Sequence, residues 1–184
     1  MIMNLQMFAD GDNTTPDITI TQGKQLIYLF RRLNDASTKD GLNLAYTTEN
    51  ERSKSRDMDS TETKDGSVPT PGGMEHEVTA TALLAYGQDG MTAEDLEAAL
   101  DANDMFEIWE ANLARPATAS GKYKGRYMRG YLSEISTSSA ADDNAELDLT
   151  WAIQGAGVTG DVTVPASIVE AVTYNFVDSP RQGA

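Results

Sequence analysis

The chain has 184 residues, no cysteine and a single histidine, with 29 acidic against 14 basic side chains and a formal net charge of -15. That length suits one domain, or one domain with arms, and can bury a sizeable core. Zero cysteines exclude disulfides, thiolate catalysis and cysteine-ligated metals, one imidazole leaves no histidine cluster for zinc, and so acidic a surface repels phosphate backbones.

No run approaches the ~18 apolar residues of a membrane span, and Met1 to Ala9 is too short and lacks the basic start of a signal peptide. Residues 1–22 are polar, with Gly11, Asp12, Asn13 and Pro16 followed by a brief alternation at Ile18 and Ile20. They read as a flexible arm with one extended piece. Asn13-Thr14-Thr15 matches a glycosylation acceptor but has no secretory signal behind it. Leu26 to Leu33 is a continuous apolar run bounded by Gly23 and Asn34-Asp35, short enough for a buried strand. A second strand is predicted over Leu42 to Thr48, after a turn at Asp40-Gly41.

Glu49 to Gly73 then alternates charge and hydroxyl, with Met58 as the one large apolar side chain before Val68, and closes on Pro69, Pro71 and Gly72-Gly73. Such a segment cannot build a core by itself, and a connection of this length is expected to be disordered or functional. It reads as a partner-seeking loop, mobile from Ser53 to Gly66 until a partner orders it. The candidate contact residues are Ser53, Lys54, Arg56, Asp57, Asp59, Glu62, Lys64 and Asp65. Asp57, Asp59 and Thr61 imitate the start of a calcium loop, but Glu62 stands where glycine is required and Val68 where the bidentate acid is needed.

The string from Ser53 through Val68, followed by Thr70-Pro71-Gly72, resembles the signature of the major tail proteins of long-tailed bacteriophages. The likeness extends through Trp109 and Tyr131 to about Gly160. The resemblance implies a subunit of stacked hexameric rings that make a tail tube, with strands contributed to a continuous inner barrel and long loops and arms bridging to the next ring.

Met74 to Tyr86 alternates clearly, with Met74, His76, Val78, Ala80, Ala82, Leu84 and Tyr86 on one face and Glu75, Glu77, Thr79 and Thr81 on the other. His76 on the apolar side reads as a packing or interface residue. A helix is predicted over Ala93 to Ala102. Thr92 caps it, Asp95 answers as a weaker capping box, and Met91 with Leu96 has the spacing of a hydrophobic staple. Its narrow stripe of Leu96, Ala99 and Leu100 suits a helix lying on a sheet.

Met105 to Ala111 reads as a strand carrying Phe106, Ile108 and Trp109. Lys122 to Ile135 is a long strand divided by Gly125 and Gly130, which permit a bulge or close backbone approach. Tyr123, Tyr127, Tyr131 and Ile135 are placed on one face, and Lys122, Lys124, Arg126 and Met128 on the other. Lys122, Lys124 and Arg126 form a candidate interface row expected to meet carboxylates of a neighbour or of the loop. Glu146 to Gln154 sends Leu147, Leu149, Trp151 and Ile153 inward and Glu146, Asp148, Thr150 and Gln154 outward. Gly155, Gly157 and Gly160 spell GxGxxG, but Asp161 to Pro165 reads as extended where a dinucleotide fingerprint needs a helix to open. Ser167 to Val177 reads as a short helix running into a strand, or as an arm packing on a neighbour. Asp142 and Asp143 are adjacent acids on a turn with no catalytic partner groups in view.

The pattern gives a mainly β fold, an antiparallel sandwich or barrel-like domain with one flanking helix, a long loop and extended arms. The divisions are 1–22 as N-terminal arm, 23–160 as the β domain with loop 49–73, and 161–184 as C-terminal arm. No enzyme, cofactor or metal site is expected. The resemblance implies a structural virion protein made in the host cytoplasm. Its implied partners are further copies of itself together with tape measure, tail terminator and distal tail proteins, and DNA passes through without specific binding. Glu75, Glu77, Glu146 and Asp148 are the candidate lumen carboxylates. A monomeric sandwich of adhesin type, gripping a ligand with the charged loop, fits composition and strand pattern equally.

Overall fold

The computed structural model describes residues 20–85 and 91–173. Seven strands form one antiparallel sheet: β1 (Leu26–Arg32), β2 (Thr47–Thr63), β3 (Gly66–Leu83), β4 (Met105–Pro116), β5 (Lys122–Ser138), β6 (Glu146–Ile153) and β7 (Val158–Thr163). They lie in the order β1-β4-β5-β6-β3-β2, with β7 joined to the first half of β5. Two helices flank the sheet, α1 (Ala93–Asp101) and α2 (Ala166–Thr173).

The sheet curls over itself. Phe30 on β1 and Trp151 on β6 are separated in sheet order by β4 and β5, yet their rings stack with centroids 4.5 Å apart. Around this pair the inner face buries Tyr28, Leu44, Val78, Ala80, Ala82, Phe106, Ile108, Met128, Leu132, Leu147 and Leu149, and α1 covers it with Leu96 and Ala99. A smaller cluster on the opposite face joins Leu29 and Ala111 to Val162 and Val164, with α2 packed on it through Ile168 and Val169.

The helix forms as its sequence dictates. The Thr92 hydroxyl accepts from the Asp95 amide at 3.2 Å and the Asp95 carboxylate accepts from the Thr92 amide at 3.2 Å, the reciprocal bonds of a capping box. The bonds that the carboxylate accepts from the Thr92 amide and, at 3.0 Å, from the Thr92 hydroxyl hold the Asp95 carboxyl below its ordinary range. The helix stops where Asn103 takes a left-handed φ of 54° and the Asp104 amide reaches back to the Ala99 carbonyl at 2.9 Å.

Three expectations are corrected. Glu49 to Gly73, read as a loop, is instead part of a β-hairpin: β2 pairs with β3 from Thr47↔Ala82 out to Thr63↔Gly66. The stretch lacks apolar side chains because β6 reaches β3 only over Glu77–Leu83, so the outer hairpin has no core to face. Pro69 and Pro71 are tolerated there because β3 has an edge with no neighbour to bond. The reversal at Lys64-Asp65 is closed by Gly66 at φ +126° and by the Thr63 hydroxyl donating to the Gly66 carbonyl at 2.6 Å. Second, the strand predicted over Leu42 to Thr48 is reduced to a single bridge, Leu42 with Phe30, and the next strand starts at Thr47. Third, Ile135 does not share a face with Tyr131. A bulge between Leu132 and Glu134 shifts the register, so Ile135 sits opposite Leu149 and joins the core.

The other strands follow their alternation. His76, Val78, Ala80 and Ala82 are buried while Glu75 and Glu77 are exposed, and Tyr86 of that predicted strand lies outside the described residues. β6 buries Leu147, Leu149 and Trp151. Gly125 and Gly130 are required by close backbone approach, since a Cβ would stand 2.1 Å from the Glu110 carbonyl oxygen at the first and 2.5 Å from that of Ala152 at the second. The GxGxxG turn carries Gly155 and Gly157 at φ +75° and +69° and runs into β7, not a helix. Ser167 to Val177 is helical through Thr173, and the strand predicted beyond it, like residues 1–19 of the N-terminal arm, lies outside the described residues.

Candidate functional site

The structure offers faces and an arm. Cross-strand register brings Glu49, Glu51, Ser53 and Ser55 of β2 onto the same side as Glu75, Glu77, Thr79 and Thr81 of β3. The same side continues across Glu146, Asp148 and Thr150 of β6 to Glu134, Ser136 and Ser138 of β5. All four predicted carboxylates, Glu75, Glu77, Glu146 and Asp148, therefore lie on this one surface, opposite the core. The same side of β5 also carries the exposed Arg129, two residues before Tyr131, which stands opposite Ala152. Among the described residues, Asp148 is the one of the four carboxylates with a side-chain hydrogen bond, accepting from the Thr81 hydroxyl at 2.7 Å. Glu49, Glu51 and Glu134 complete the face but were missed in the sequence. Their signal was present, since in β2 the acids alternate with Asn50 and Arg52, but it is legible only once β2 is known to be a strand.

The eight loop residues Ser53, Lys54, Arg56, Asp57, Asp59, Glu62, Lys64 and Asp65 are exposed along the hairpin and its turn. They do not converge on a pocket. Register puts Lys54 opposite His76 and Arg56 opposite Met74, and the Arg56 guanidinium donates to the Gly72 carbonyl at 3.2 Å.

Two acids fasten the wall behind these surfaces. Glu107, 6% exposed, accepts from Arg31 Nε at 2.9 Å and Nη2 at 2.6 Å and from the Tyr127 hydroxyl at 2.6 Å. Burial pushes its pKa up, but the bonds from Tyr127 and Arg31 outweigh it and the carboxyl is held below its ordinary value. Arg31 also lies over the Trp109 ring, 4.9 Å from its centroid. Glu110 accepts from the Tyr28 hydroxyl at 2.9 Å and from Arg52 Nε at 2.6 Å, clasping β1, β4 and β2 together. Burial, then the Glu110 charge, raises the Tyr28 pKa far above its ordinary value.

Of the predicted basic row, Lys122, Lys124 and Arg126 do alternate along one side of β5, opposite Thr163, Asp161 and Thr159 of β7. Lys124 pairs inside the chain with Asp161 at 2.6 Å, and Arg126 reaches the Ala156 carbonyl at 3.3 Å. His76 is buried, its Nδ1 3.1 Å from the Gly155 carbonyl, which ties the β6–β7 turn to β3. Among the described residues no group of three or more His, Asp or Glu side chains converges to hold a metal ion, and no helix is long and apolar enough to cross a membrane.

Comparison with known proteins finds relatives of this fold. A family model described as phage tail tube protein matches residues 20–159. A putative tail protein of Staphylococcus phage phiMR25 is 27% identical over 163 residues, covering 86% of this chain and 82% of that protein. Among solved structures, the tail tube of SPP1 superposes with a TM-score of 0.65 at 14% identity, covering 90% of this chain and 91% of that one. The tail of a gene transfer agent particle, refined with C6 symmetry, gives 0.55 at 13% identity over 77% of this chain and 99% of that one. The shared feature is the mainly antiparallel β fold. With the family match spanning the whole sheet up to the start of β7, the chain belongs to the phage tail tube protein family.

Proposed function

We propose that the protein is the major tube subunit of a long-tailed phage, assembling as stacked hexameric rings whose channel conducts DNA during ejection. The observation that carries this reading is the continuous carboxylate surface of β2, β3, β6 and β5. A conduit for a polyanion must not bind it, and rotational symmetry multiplies a face of carboxylates into rings that repel phosphate. Glu75, Glu77, Glu146 and Asp148 are assigned to the channel wall. The C6 symmetry of the gene transfer agent tail supports six subunits per ring.

The outer hairpin, beyond Arg56, is assigned to contacts between subunits. A two-stranded ribbon with no third strand and no buried face is marginally stable in water, so a neighbour is its natural support. Lys122, Lys124 and Arg126 are assigned to an interface as well, with Lys124 shared with Asp161. The role is structural and not enzymatic. Made in the host cytoplasm, the subunit takes its place in the virion tail, where tape measure, tail terminator and distal tail proteins are its further partners. Negative-stain microscopy of the full chain tests this: six-fold rings or tubes are the expected result, and replacing residues 57–72 with a tight turn abolishes tube growth while the core still unfolds cooperatively. A chain that remains monomeric at every concentration, or normal tubes from the shortened hairpin, would overturn the corresponding assignment.

A further inference from the structure

Apart from the outer hairpin, whose charges are mixed, the two ends of the sheet differ in the side chains they expose. At one end β4 finishes at Arg115-Pro116, and β5 begins at Lys122 with Arg126 two pleats on. An open pocket of about 540 Å³ there is lined by Glu110, Asn112, Arg115, Lys124, Arg126 and Asp161, among others. Both of its acids are already neutralised, Glu110 by Arg52 at 2.6 Å and Asp161 by Lys124 at 2.6 Å. Arg115, Lys122 and Arg126 have no carboxylate partner among the described residues, and Arg115 and Lys122 are exposed. The opposite end carries the turn from α1 into β4, with Asp101 and Asp104, and the β5–β6 turn, with Asp142 and Asp143. Asp104 has Arg32 at 3.9 Å, whereas Asp101, Asp142 and Asp143 are exposed with no cation in ion-pair range among the described residues.

Copies of a chain with net charge -15 repel one another. Association therefore depends on contacts where opposite signs meet locally. We infer that the Arg115, Lys122 and Arg126 end of one copy docks on the Asp101, Asp142 and Asp143 end of a second copy, head to tail. A head-to-tail contact between different surfaces does not close on itself along its axis and so builds an open filament. The contact also fixes polarity, because two like ends brought together juxtapose charges of one sign. The hairpin leaves the sheet at the basic end, beyond the last β3–β6 pair at Glu77↔Ala152, and so points toward the next copy. The inference rests on the reading of the chain as a tube subunit.

Two triple reversals of the full chain test it, R115E/K122E/R126E and D101K/D142K/D143K, each checked for folding by thermal melting and followed by sedimentation and negative-stain microscopy at several salt concentrations. Each alone is expected to raise the concentration needed for tubes by roughly tenfold or more at low salt. The combined variant, which returns to the parent's net charge with the signs exchanged, is expected to restore them. Because the chain has no cysteine, a second measurement is direct: tubes grown from a mixture of R115C and D142C copies should yield a covalent dimer with a short thiol cross-linker. Tubes that ignore both reversals, or that give no cross-linked dimer, overturn the end-to-end assignment alone. A parent chain that never associates removes the tube reading itself.

Discussion

Arg52 Nε lies 2.6 Å from Glu110 Oε2, joining β2 to β4 although β5, β6 and β3 stand between them in the sheet. The Tyr28 hydroxyl of β1 binds the same oxygen at 2.9 Å. One carboxylate thus holds the two free edges of the curled sheet, β1 and β2, against its middle. Glu110→Ala leaves a guanidinium and a buried hydroxyl without their acceptor, and a loss of about 1–3 kcal/mol is expected in chemical denaturation. Faster amide exchange in β2 near Arg52 than in β6 would confirm that the clasp, and not the core, is what loosened. Equal exchange in both would contradict it.

The second acid gives a pH dependence. Burial raises the Glu107 pKa, and bonds from Tyr127 and Arg31 lower it by more, so its folded value lies under the ordinary 4.5. A depressed carboxyl contributes stability that is fully present above its unfolded pKa and is lost as pH falls through the folded one. Parent protein should therefore lose stability below about pH 4.5. Glu107→Gln should be less stable near neutrality by about 1.5–3 kcal/mol and show a shallower acid decline. Parallel pH profiles for the two proteins would exclude Glu107 as a source of the decline.

Gly125 is fixed by space. Its ideal Cβ would stand 2.1 Å from the Glu110 carbonyl oxygen and 2.8 Å from a Val162 methyl. Gly125→Ala should thus push β5 away from β4 and β7 at once, costing about 1–3 kcal/mol by thermal or chemical unfolding. The same change at Gly23, which has nothing within 4 Å, should leave the melting temperature within a degree or two of the parent, since surface changes away from packed features fall within about 0.5 kcal/mol.

The carboxylate face is tested by sign reversal. Changing Glu75, Glu77, Glu146 and Asp148 together to Lys should leave the fold largely intact, because all four lie opposite the core. Tubes built from the variant should retain DNA, with retention falling as salt rises. Normal ejection by the lysine variant would remove the functional meaning of the face, and a structure with these residues on the outer wall would remove their assignment to the channel.

The direction in which each candidate carboxylate points was legible because β strands write their two faces alternately. Glu75 and Glu77 between His76 and Val78, and Glu146 and Asp148 flanking Leu147, declare which way they point without any knowledge of the neighbours. The capping box at Thr92 and Asp95 and the staple of Met91 with Leu96 are likewise local, so the helix could be placed to within a residue.

The elements with one buried face were therefore readable residue by residue, as was the phage tail family through the Ser53 to Val68 string. The outer hairpin buries neither face, so its pairing leaves no apolar period to read. Only the backbone ladder between Thr47–Thr63 and Gly66–Leu83 reveals it. The bulge after Leu132 moves Ile135 into the core by one inserted residue, a choice made by the pairing with β6 and not by β5's own composition. Tertiary structure alone decided that Phe30 meets Trp151, that Glu110 gathers Tyr28 and Arg52, and that Arg115, Lys122 and Arg126 gather at one end while Asp101, Asp142 and Asp143 gather at the other. Each of these depends on how far the sheet curls, a property of all its strands together that no single segment encodes.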